Sequence, residues 1–321
     1  MENNEQLINP DRFLSHSGSE LETIEQTAKK ARERINSHKK ASAETKQYLC
    51  SLLDQLLEFP FGRFMLQNRG MDGFWSDYMI HHPRVGRKTG KDESGRTLTR
   101  LEKVVLDKFP NIIATQERHE IFGKIIQDNM KNGASMASLP CGMMREFLER
   151  DFTGIDQIEM IGIDIDQRML DGGEKLAKEY GVADKVKFTR EDAWELPFED
   201  EFSLLASSGL SIYEPSDDKV VDLYRQFYKS LRPDGVLVTS FMNFPPLPGR
   251  ADQWEVSGLD QEILQIQGDL FVKVIGANFT AYRSKDTVRE QLEEAGFSNI
   301  QFFFDTYHLF PTVTAEKKVG S

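Results

Sequence analysis

Two apolar segments separated by a tight loop constrain the fold of this chain most strongly. Residues 135–143 predict a strand that runs into a loop, and a helical segment, Arg145–Arg150, follows. Residues 159–164 predict a second strand that ends in a carboxylate, Asp164, 22 residues after Gly142. This order is typical of the first half of a nucleotide-binding α/β unit. In such a unit, loop N–H groups and a helix N-terminus face the ligand, and the strand-end acid accepts from ribose hydroxyls.

The composition limits the class of partner. The chain has 321 residues, of which 39% are hydrophobic, enough for a full α/β domain and a smaller one. Its 40 basic and 52 acidic residues give a net charge of −12. Because an acidic chain repels phosphate backbones, we expect no nucleic-acid partner. The basic stretch Arg84–Arg100 contains three glycines and is therefore interpreted as a solvated loop.

The cysteines, the N-terminus and the histidines favour a cytoplasmic protein without a metal. Cys50 and Cys141 form no CxxC pair, so neither a zinc site nor a disulfide framework is predicted. No basic region followed by an apolar run opens the chain, and no stretch approaches about 20 apolar residues, so no membrane partner is expected. Export by a route without such a signal stays open. His81 and His82 are a poor metal pair because neighbouring side chains on a helix diverge by about 100°.

The pattern of apolar residues divides the chain into two parts. Residues 1–130 predict helices throughout, including one over Glu44–Leu57 with four leucines on one face. Residues 131–321 predict alternating strands and helices, hence a parallel sheet with right-handed crossovers. Two aromatic strands, about 298–304 and 307–313, are predicted at the end of the chain.

Five segments resemble, in the correct order, the motifs of class I S-adenosylmethionine-dependent methyltransferases. They correspond to the first loop, the ribose-binding strand end, the adenine-binding segment, the turn into the fifth strand and the helix before the sixth: Ser138–Gly142, Ile161–Asp164, Arg190–Phe198, Leu231–Leu237 and Asp286–Phe297. The resemblance implies an α/β fold with a mostly parallel, seven-stranded, Rossmann-like sheet. It also implies S-adenosyl-L-methionine as the cofactor, 131–321 as the domain that binds it, and 1–130 as an added helical lid.

The first loop departs from the family pattern. Ser138 stands in place of an acid, and Pro140 and Met144 stand in place of glycines. A dinucleotide enzyme needs these glycines because the backbone must approach a pyrophosphate closely. A sulfonium nucleoside has no phosphate and tolerates a bulkier loop, so the departures argue against NAD more than against S-adenosylmethionine.

The resemblance implies a set of cofactor-binding residues. Asp164 is expected to bind the ribose, because Asp166 is the better cap for the next helix. Asp192 is expected to accept from the adenine amine, with a turn role as the alternative, and Trp194 either stacks on adenine or is a buried anchor. Cys141 is expected to contact the ligand through its backbone. The full set is Ser138, Leu139, Pro140, Cys141, Gly142, Asp164, Ile165, Asp192, Ala193, Trp194 and Ser207.

The candidate catalytic residues come from two places. The loop after the fourth strand faces the reacting end of the ligand by the crevice rule, with a hydroxyl-rich turn as the alternative. An aromatic cluster in the helical segment suits a lid that excludes water, although aromatics at helical spacing also suit a plain core. The cluster comprises Trp75, Tyr78, His81 and His82, and Arg118 and His119 have the same two interpretations. The candidates are Tyr213, Ser208 and Tyr78.

Three functions remain open from the sequence. The first is methyl transfer to a small-molecule acceptor by in-line displacement, in which the protein positions the reactants and excludes water. The second is ring closure of S-adenosylmethionine to azetidine-2-carboxylate with release of methylthioadenosine, since without a loop acid more of the ligand amine is neutral and nucleophilic. The third is a non-catalytic nucleoside-binding or interaction protein. An oligomer through the helical segment is also compatible with the sequence.

Overall fold

A computed structural model of the protein describes residues 22–246, 253–277 and 281–318. Within these ranges the contacts divide the chain into two compact units. The first consists of residues 22–72 and 265–277, and the second of residues 73–246, 253–264 and 281–318. The first of these units ends its N-terminal segment at Asp72, and a lid domain over residues 1–130 stays a prediction.

The first unit is helical. It contains α1 (Ile24–Ser37), α2 (Ala43–Leu56), α3 (Pro60–Asn68) and a π-helical turn, Asp269–Ile275. The apolar face predicted for α2 is confirmed, since its four leucines are buried: Leu49, Leu52, Leu53 and Leu56. A capping box opens α1, in which Thr23 accepts from the backbone of Gln26 and the Gln26 side chain accepts from the backbone of Thr23.

The second unit begins with four helices that precede the sheet. They are α4 (Gly73–His81), α5 (Gly86–Thr89), α6 (Arg100–Lys108) and α7 (Pro110–Asn129). Prolines at the first position of α3 and α7 suit helix starts, because the missing N–H has no partner there anyway. In the described part of the chain, none of the helices is long and apolar enough to cross a bilayer.

Helix α7 packs against one face of the sheet. Its Phe122 and Ile126 are buried in one apolar cluster with Met136, Leu204 and Val238 of three neighbouring strands. The sequence pattern assigned this helix to the N-terminal helical segment, because periodicity shows an apolar face but not the surface it packs against.

The sheet has seven strands in the order β3-β2-β1-β4-β5-β7-β6. All neighbouring pairs from β3 to β5 are parallel, and β7 is antiparallel to both β5 and β6. The predicted seven-stranded, mostly parallel, Rossmann-like sheet is thus confirmed. The strands are β1 (Ala134–Ser138), β2 (Ile158–Asp164), β3 (Val186–Arg190), β4 (Phe202–Ser207), β5 (Leu231–Ser240), β6 (Phe297–Phe303) and β7 (Thr312–Lys317).

Helices and short turns connect the strands. They are α8 (Arg145–Leu148), α9 (Gln167–Glu179), a 3-10 helix (Leu210–Tyr213), α10 (Asp217–Ser230), α11 (Gln261–Gly268) and α12 (Lys285–Glu294). The predicted turn before β5 is present inside that strand. Leu231 pairs with Phe202 and Val236 pairs with Leu204, so residues 232–235 bulge out of the ladder.

The last strand begins later than predicted. Residues 307–311 form a turn instead of the start of a strand, and β7 begins at Thr312. The Asp305 carboxylate holds this turn by accepting from the backbone N–H groups of Tyr307, Leu309 and Phe310. Local hydrogen bonding to an aspartate therefore outweighs the strand preference of the aromatic residues.

Candidate functional site

Backbone N–H groups of the loop after β1 donate hydrogen bonds to neighbouring strands of the protein. Leu139 N–H donates to Ala206 O at 2.8 Å, and Cys141 N–H donates to Ile163 O at 2.8 Å. Gly142 N–H donates to Asp164 Oδ2 at 3.0 Å. These three N–H groups are therefore used within the protein, and contact of a ligand with the Cys141 backbone stays a prediction. Helix α8, only four residues long, follows this loop.

Asp164 is buried at the carboxyl end of β2. Its two oxygens accept from the backbone N–H groups of Gly142 and Asp166, both at 3.0 Å. Asp166 caps α9 by accepting from Arg168 N–H at 3.0 Å, which confirms the predicted cap. Asp164 is thus oriented by two loops that meet at one edge of the sheet, and it also joins those loops.

A carboxyl group that sequence reasoning missed lies beside Ser138. The Ser138 hydroxyl donates to Glu146 Oε1 at 2.6 Å. Burial raises the pKa of Glu146, although the Ser138 hydrogen bond and the nearby His119 oppose that effect. The acid that the first loop lacks is therefore supplied from α8, eight residues further along the chain.

The two carboxyl groups lie close to the same loop. Burial raises the pKa of the Cys141 thiol well above its usual value, and the charges of Asp164 and Glu146 raise it further. Both acids thus act on the same loop residue. Ionised carboxylates stabilise a cationic ligand group and repel a phosphate.

Helix α4 starts directly against the loop after β1. A Cβ atom on Gly73 would lie 2.6 Å from Gly142 Cα and 2.7 Å from Met169 Sδ, so only glycine fits without displacement. Gly142 itself has φ 49°, a conformation that favours glycine. The backbone of the helical segment therefore contacts the loop at which the ligand is expected.

An ionic network supports the β1 side of the site. Arg145 donates to both carboxylate oxygens of Asp77 and lies 3.3 Å from Glu149 Oε1. Arg84 pairs with Glu149, and His119 Nε2 lies 3.8 Å from Glu149 Oε2. The Glu149 side chain is 4% exposed, so this network joins α4, α7 and α8 in a buried environment.

The segment predicted to bind adenine has local structural contacts. Asp192 Oδ1 accepts from Trp194 N–H at 3.0 Å, which is the turn role given as the alternative. The Trp194 indole N–H donates to Lys219 O at 2.9 Å, as expected of an anchor. Ala193 is buried in the core, and Ile165 O accepts from Arg190 Nε at 3.0 Å. Adenine binding by this segment stays a prediction.

The loop after β4 places hydroxyl groups near a cation. Ser207 is buried, whereas Ser208 is exposed. Burial raises the pKa of Tyr213 to about 12, and the positive charge of Arg118 opposes the shift. Because β4 is parallel to β1 and β2, this loop lies at the same edge of the sheet as Asp164.

Tyr78 is hydrogen-bonded to another residue of the helical segment. Its hydroxyl donates to Glu102 Oε1 at 2.7 Å, and Arg96 donates to both oxygens of Glu102. Burial and Glu102 raise the pKa of Tyr78. These contacts link α4 to α6, which favours the core interpretation. The catalytic role of Tyr78 stays a prediction.

The histidines of the helical segment pair with carboxylates. His81 Nδ1 contacts Glu93, and His82 Nε2 lies 2.9 Å from Asp107 Oδ1. In the ranges that the structure describes, no group of three or more His, Cys, Asp or Glu side chains is arranged to hold a metal ion.

Comparisons with known proteins agree with this architecture. A sequence model of the methyltransferase domain matches residues 141–235, which run from the loop after β1 into β5. Demethylmenaquinone methyltransferase of Staphylococcus aureus is 26% identical over 223 residues, covering 67% of this chain and 88% of that protein. These matches are consistent with the resemblance to class I S-adenosylmethionine-dependent methyltransferases.

A solved structure resembles nearly all of this chain. The crystal structure of a possible exported protein from Bordetella parapertussis is 35% identical and has a TM-score of 0.85. The match covers 92% of this chain and 96% of that protein, so it extends well beyond the matched methyltransferase domain.

Proposed function

We propose that this protein transfers a methyl group from S-adenosyl-L-methionine to a small-molecule acceptor by in-line displacement. The observation that carries the proposal is the buried Asp164 carboxylate at the carboxyl end of β2, hydrogen-bonded to Gly142 of the loop after β1. An acid in this position suits the two ribose hydroxyls of an adenosyl group.

The charges of the site suit this cofactor. S-adenosylmethionine carries a sulfonium and an ammonium group, and the edge near β1 and β2 carries the carboxyl groups of Asp164 and Glu146. The N–H groups of Cys141 and Gly142, which would hold a phosphate in a dinucleotide enzyme, already donate within the protein. The residues present thus fit a phosphate-free, cationic nucleoside better than NAD.

In this proposal each residue has one role. Asp164 holds the ribose, and Glu146 faces the ammonium group in place of the missing loop acid. Asp192 accepts from the adenine amine beside Ala193. Ser208 and Tyr213 orient the acceptor. When bound, the cofactor supplies the electrophilic methyl group, and the protein contributes orientation and exclusion of water.

The raised pKa of Tyr213 supports a role as a hydrogen-bond donor. With a pKa of about 12, its phenol keeps its proton at pH 7. It therefore donates a hydrogen bond to the acceptor and does not serve as a general base at neutral pH.

Glu146 weakens the argument for ring closure. That alternative depends on a neutral ligand amine, which the absence of an acid at Ser138 would favour. A carboxylate next to an amine raises its pKa by about 1–3 units and keeps it protonated. Since Glu146 lies 2.6 Å from the Ser138 hydroxyl, methyl transfer is the better supported reaction.

Turnover of S-adenosylmethionine tests the proposal. The pure protein is incubated with S-adenosylmethionine alone, and then with a panel of small phenols, thiols and amines, and the products are analysed by mass spectrometry. We expect no turnover until an acceptor is added, and then S-adenosylhomocysteine. Methylthioadenosine with a cyclised amino acid would support ring closure, and failure to bind either nucleoside in calorimetry would refute both reactions.

Calorimetry of variants tests the role of Glu146. Glu146→Gln is expected to weaken binding of S-adenosylhomocysteine about tenfold and to leave binding of methylthioadenosine, which has no α-amino group, unchanged. Ser138→Ala keeps the carboxyl group and removes its hydrogen-bond donor, so a smaller loss is expected. Equal losses for both nucleosides would show that Glu146 is only structural.

The location and assembly of the protein complete the proposal. We infer a cytoplasmic enzyme, supported by the free thiols of Cys50 and Cys141. The net charge of −12 supports a small-molecule acceptor over nucleic acid. Fractionation of the native host tests the location, and size-exclusion chromatography tests for an oligomer through the helical segment.

A further inference from the structure

We infer that Arg118 anchors a carboxylate, or a similarly small oxyanion, of the bound ligand at the ends of β4 and β5. The inference rests on the proposed function and adds a chemical requirement to it. The carboxylate has two possible sources, the amino-acid part of the cofactor and the acceptor, and the experiment below distinguishes them.

Arg118 extends from α7 to the carboxyl edge of the sheet. Its Nη1 lies 3.3 Å from the Ser240 hydroxyl at the end of β5. A Cβ on Gly209, in the loop after β4, would lie 3.4 Å from the same nitrogen. The guanidinium carbon also lies 5.0 Å from the centre of the Phe310 ring. The cation is therefore held between two strand ends and an aromatic ring.

This cation lacks the partner that buried arginines usually have. Within the described residues its one hydrogen bond goes to the neutral Ser240 hydroxyl, and it forms no salt bridge with a carboxylate. Burial lowers the pKa of Arg118 to about 10, and the charges of Tyr213, Asp305 and Glu146 oppose the shift from a greater distance. At pH 7 the group is still positive. A partly buried, charged guanidinium group with one long hydrogen bond can bind an oxyanion of the ligand.

The position of Arg118 also fits the far end of the ligand. Neighbouring strands are about 4.8 Å apart, so the ends of β4 and β5 lie about 10 and 14 Å from the end of β2, where Asp164 is placed. An adenosyl group held at β2 therefore extends its amino-acid part, or the acceptor beyond it, towards Arg118. The order along the edge is acid at β2 and β1, then cation at β4 and β5.

Calorimetry with three probes tests this inference. Wild type, Arg118→Gln and Arg118→Lys are titrated with S-adenosylhomocysteine and with methylthioadenosine, which lacks the amino-acid part. Benzoate is then titrated into protein saturated with S-adenosylhomocysteine, because Phe310 flanks the cation. Arg289→Gln is the matched control, since its guanidinium lies 5.1 Å from the Phe302 ring at the other end of the sheet.

Two outcomes support the inference. If the anion belongs to the cofactor, Arg118→Gln weakens S-adenosylhomocysteine at least about tenfold and leaves methylthioadenosine unchanged. If it belongs to the acceptor, both nucleosides bind as in wild type, and benzoate binds the wild-type complex but not the Arg118→Gln complex. In either case Arg118→Lys, which keeps the positive charge but not the planar guanidinium group, shows an intermediate loss of affinity.

Two outcomes overturn it. In the first, wild type and Arg118→Gln bind both nucleosides with equal affinity, and their complexes bind benzoate no differently from the complex of the Arg289→Gln control. The inference then fails and the proposed function stands. If wild type binds no nucleoside, the proposed function fails and the inference fails with it. Binding of methylthioadenosine by Arg118→Gln shows that this variant is folded.

Discussion

The two halves of the carboxyl edge of the sheet are built differently. On the β1 and β2 side, Asp164 and Glu146 are acidic, and the loop donors are already bonded within the protein. On the β4 and β5 side, Arg118 donates a hydrogen bond to the Ser240 hydroxyl, and its charge acts on Tyr213. The polar groups of the first half are thus bonded to one another, whereas the cation of the second half is bonded to a neutral hydroxyl.

This difference indicates a ligand that changes sign along its length. The acidic half suits a cationic nucleoside, and the basic half suits an oxyanion. It also indicates where variation is tolerated. Substitutions on the β1 side are expected to alter stability and cofactor binding together, whereas substitutions at Arg118 are expected to alter ligand recognition alone.

The largest expected effect is on the ionic network that supports the β1 side. Glu149→Gln leaves Arg84, Arg145 and His119 without their shared carboxylate, and removing one partner of a buried pair costs about 3–5 kcal/mol of unfolding free energy. Chemical denaturation measures this loss. Glu179→Gln removes an exposed partner of Lys175 and is expected to stay within about 0.5 kcal/mol of wild type.

The same carboxylate predicts a pH dependence. Burial alone would raise the pKa of Glu149, but the neighbouring His119 and Arg84 outweigh burial and hold it well below its ordinary value of 4.5. Its stabilising contribution is therefore complete above about pH 4.5 and is lost as the pH falls towards the folded-state value. Below pH 4.5 the stability of Glu149→Gln should fall less steeply than that of wild type. If the unfolding free energies of wild type and Glu149→Gln fall equally with pH in this range, this role is refuted.

The next largest effect concerns cofactor binding. Asp164→Asn is expected to weaken S-adenosylhomocysteine about 10- to 100-fold in calorimetry, because a neutral amide replaces a charged acceptor. Asp166→Asn makes the same chemical change at the cap of α9, where asparagine is nearly as good, and should leave the affinity near wild type. Equal losses for the two variants would indicate a general change in the loops.

The contact between α4 and the loop after β1 predicts a smaller effect. Gly73→Ala would place a methyl group 2.6 Å from Gly142 Cα, and such overpacking costs about 1–3 kcal/mol. The control is Gly268→Ala, at φ −61° with nothing within 4 Å of the added atom, which is expected to be neutral or stabilising. Thermal unfolding compares the two. Equal midpoints would show that the loop moves away at little cost.

The smallest expected effect separates two roles of Trp194. Trp194→Phe removes the indole donor to Lys219 O and should lower the unfolding free energy by about 0.5–1.5 kcal/mol. As an anchor, the side chain should leave the affinity for S-adenosylhomocysteine within about twofold of wild type. A clear loss of affinity with unchanged stability would instead identify stacking on adenine.

The sequence predicted the sheet well because buried parallel strands are continuous apolar runs separated by turn residues. The alternation from β1 to β5 and the cap at Asp166 are local patterns of this kind. The start of β7 was misplaced, since the three backbone bonds accepted by Asp305 are not visible in an aromatic run. The fold thus follows from local patterns wherever no side chain competes for the backbone.

The site was predicted less completely because its contacts are not local. Ser138 indicated a missing acid, and only the left-handed turn at Met144 brings Glu146 back to it. A search for any acid within the next turn of helix would have found it. The approach of Arg118 to Ser240 spans 122 residues, and no sequence spacing encodes it.

A crystal structure of the protein with S-adenosylhomocysteine tests the central claim most directly. We predict that the ribose hydroxyls lie within hydrogen-bonding distance of the Asp164 carboxylate and that the amino group lies beside Glu146. A complex in which the nucleoside lies elsewhere, or in which Asp164 faces away from the ribose, would contradict the account.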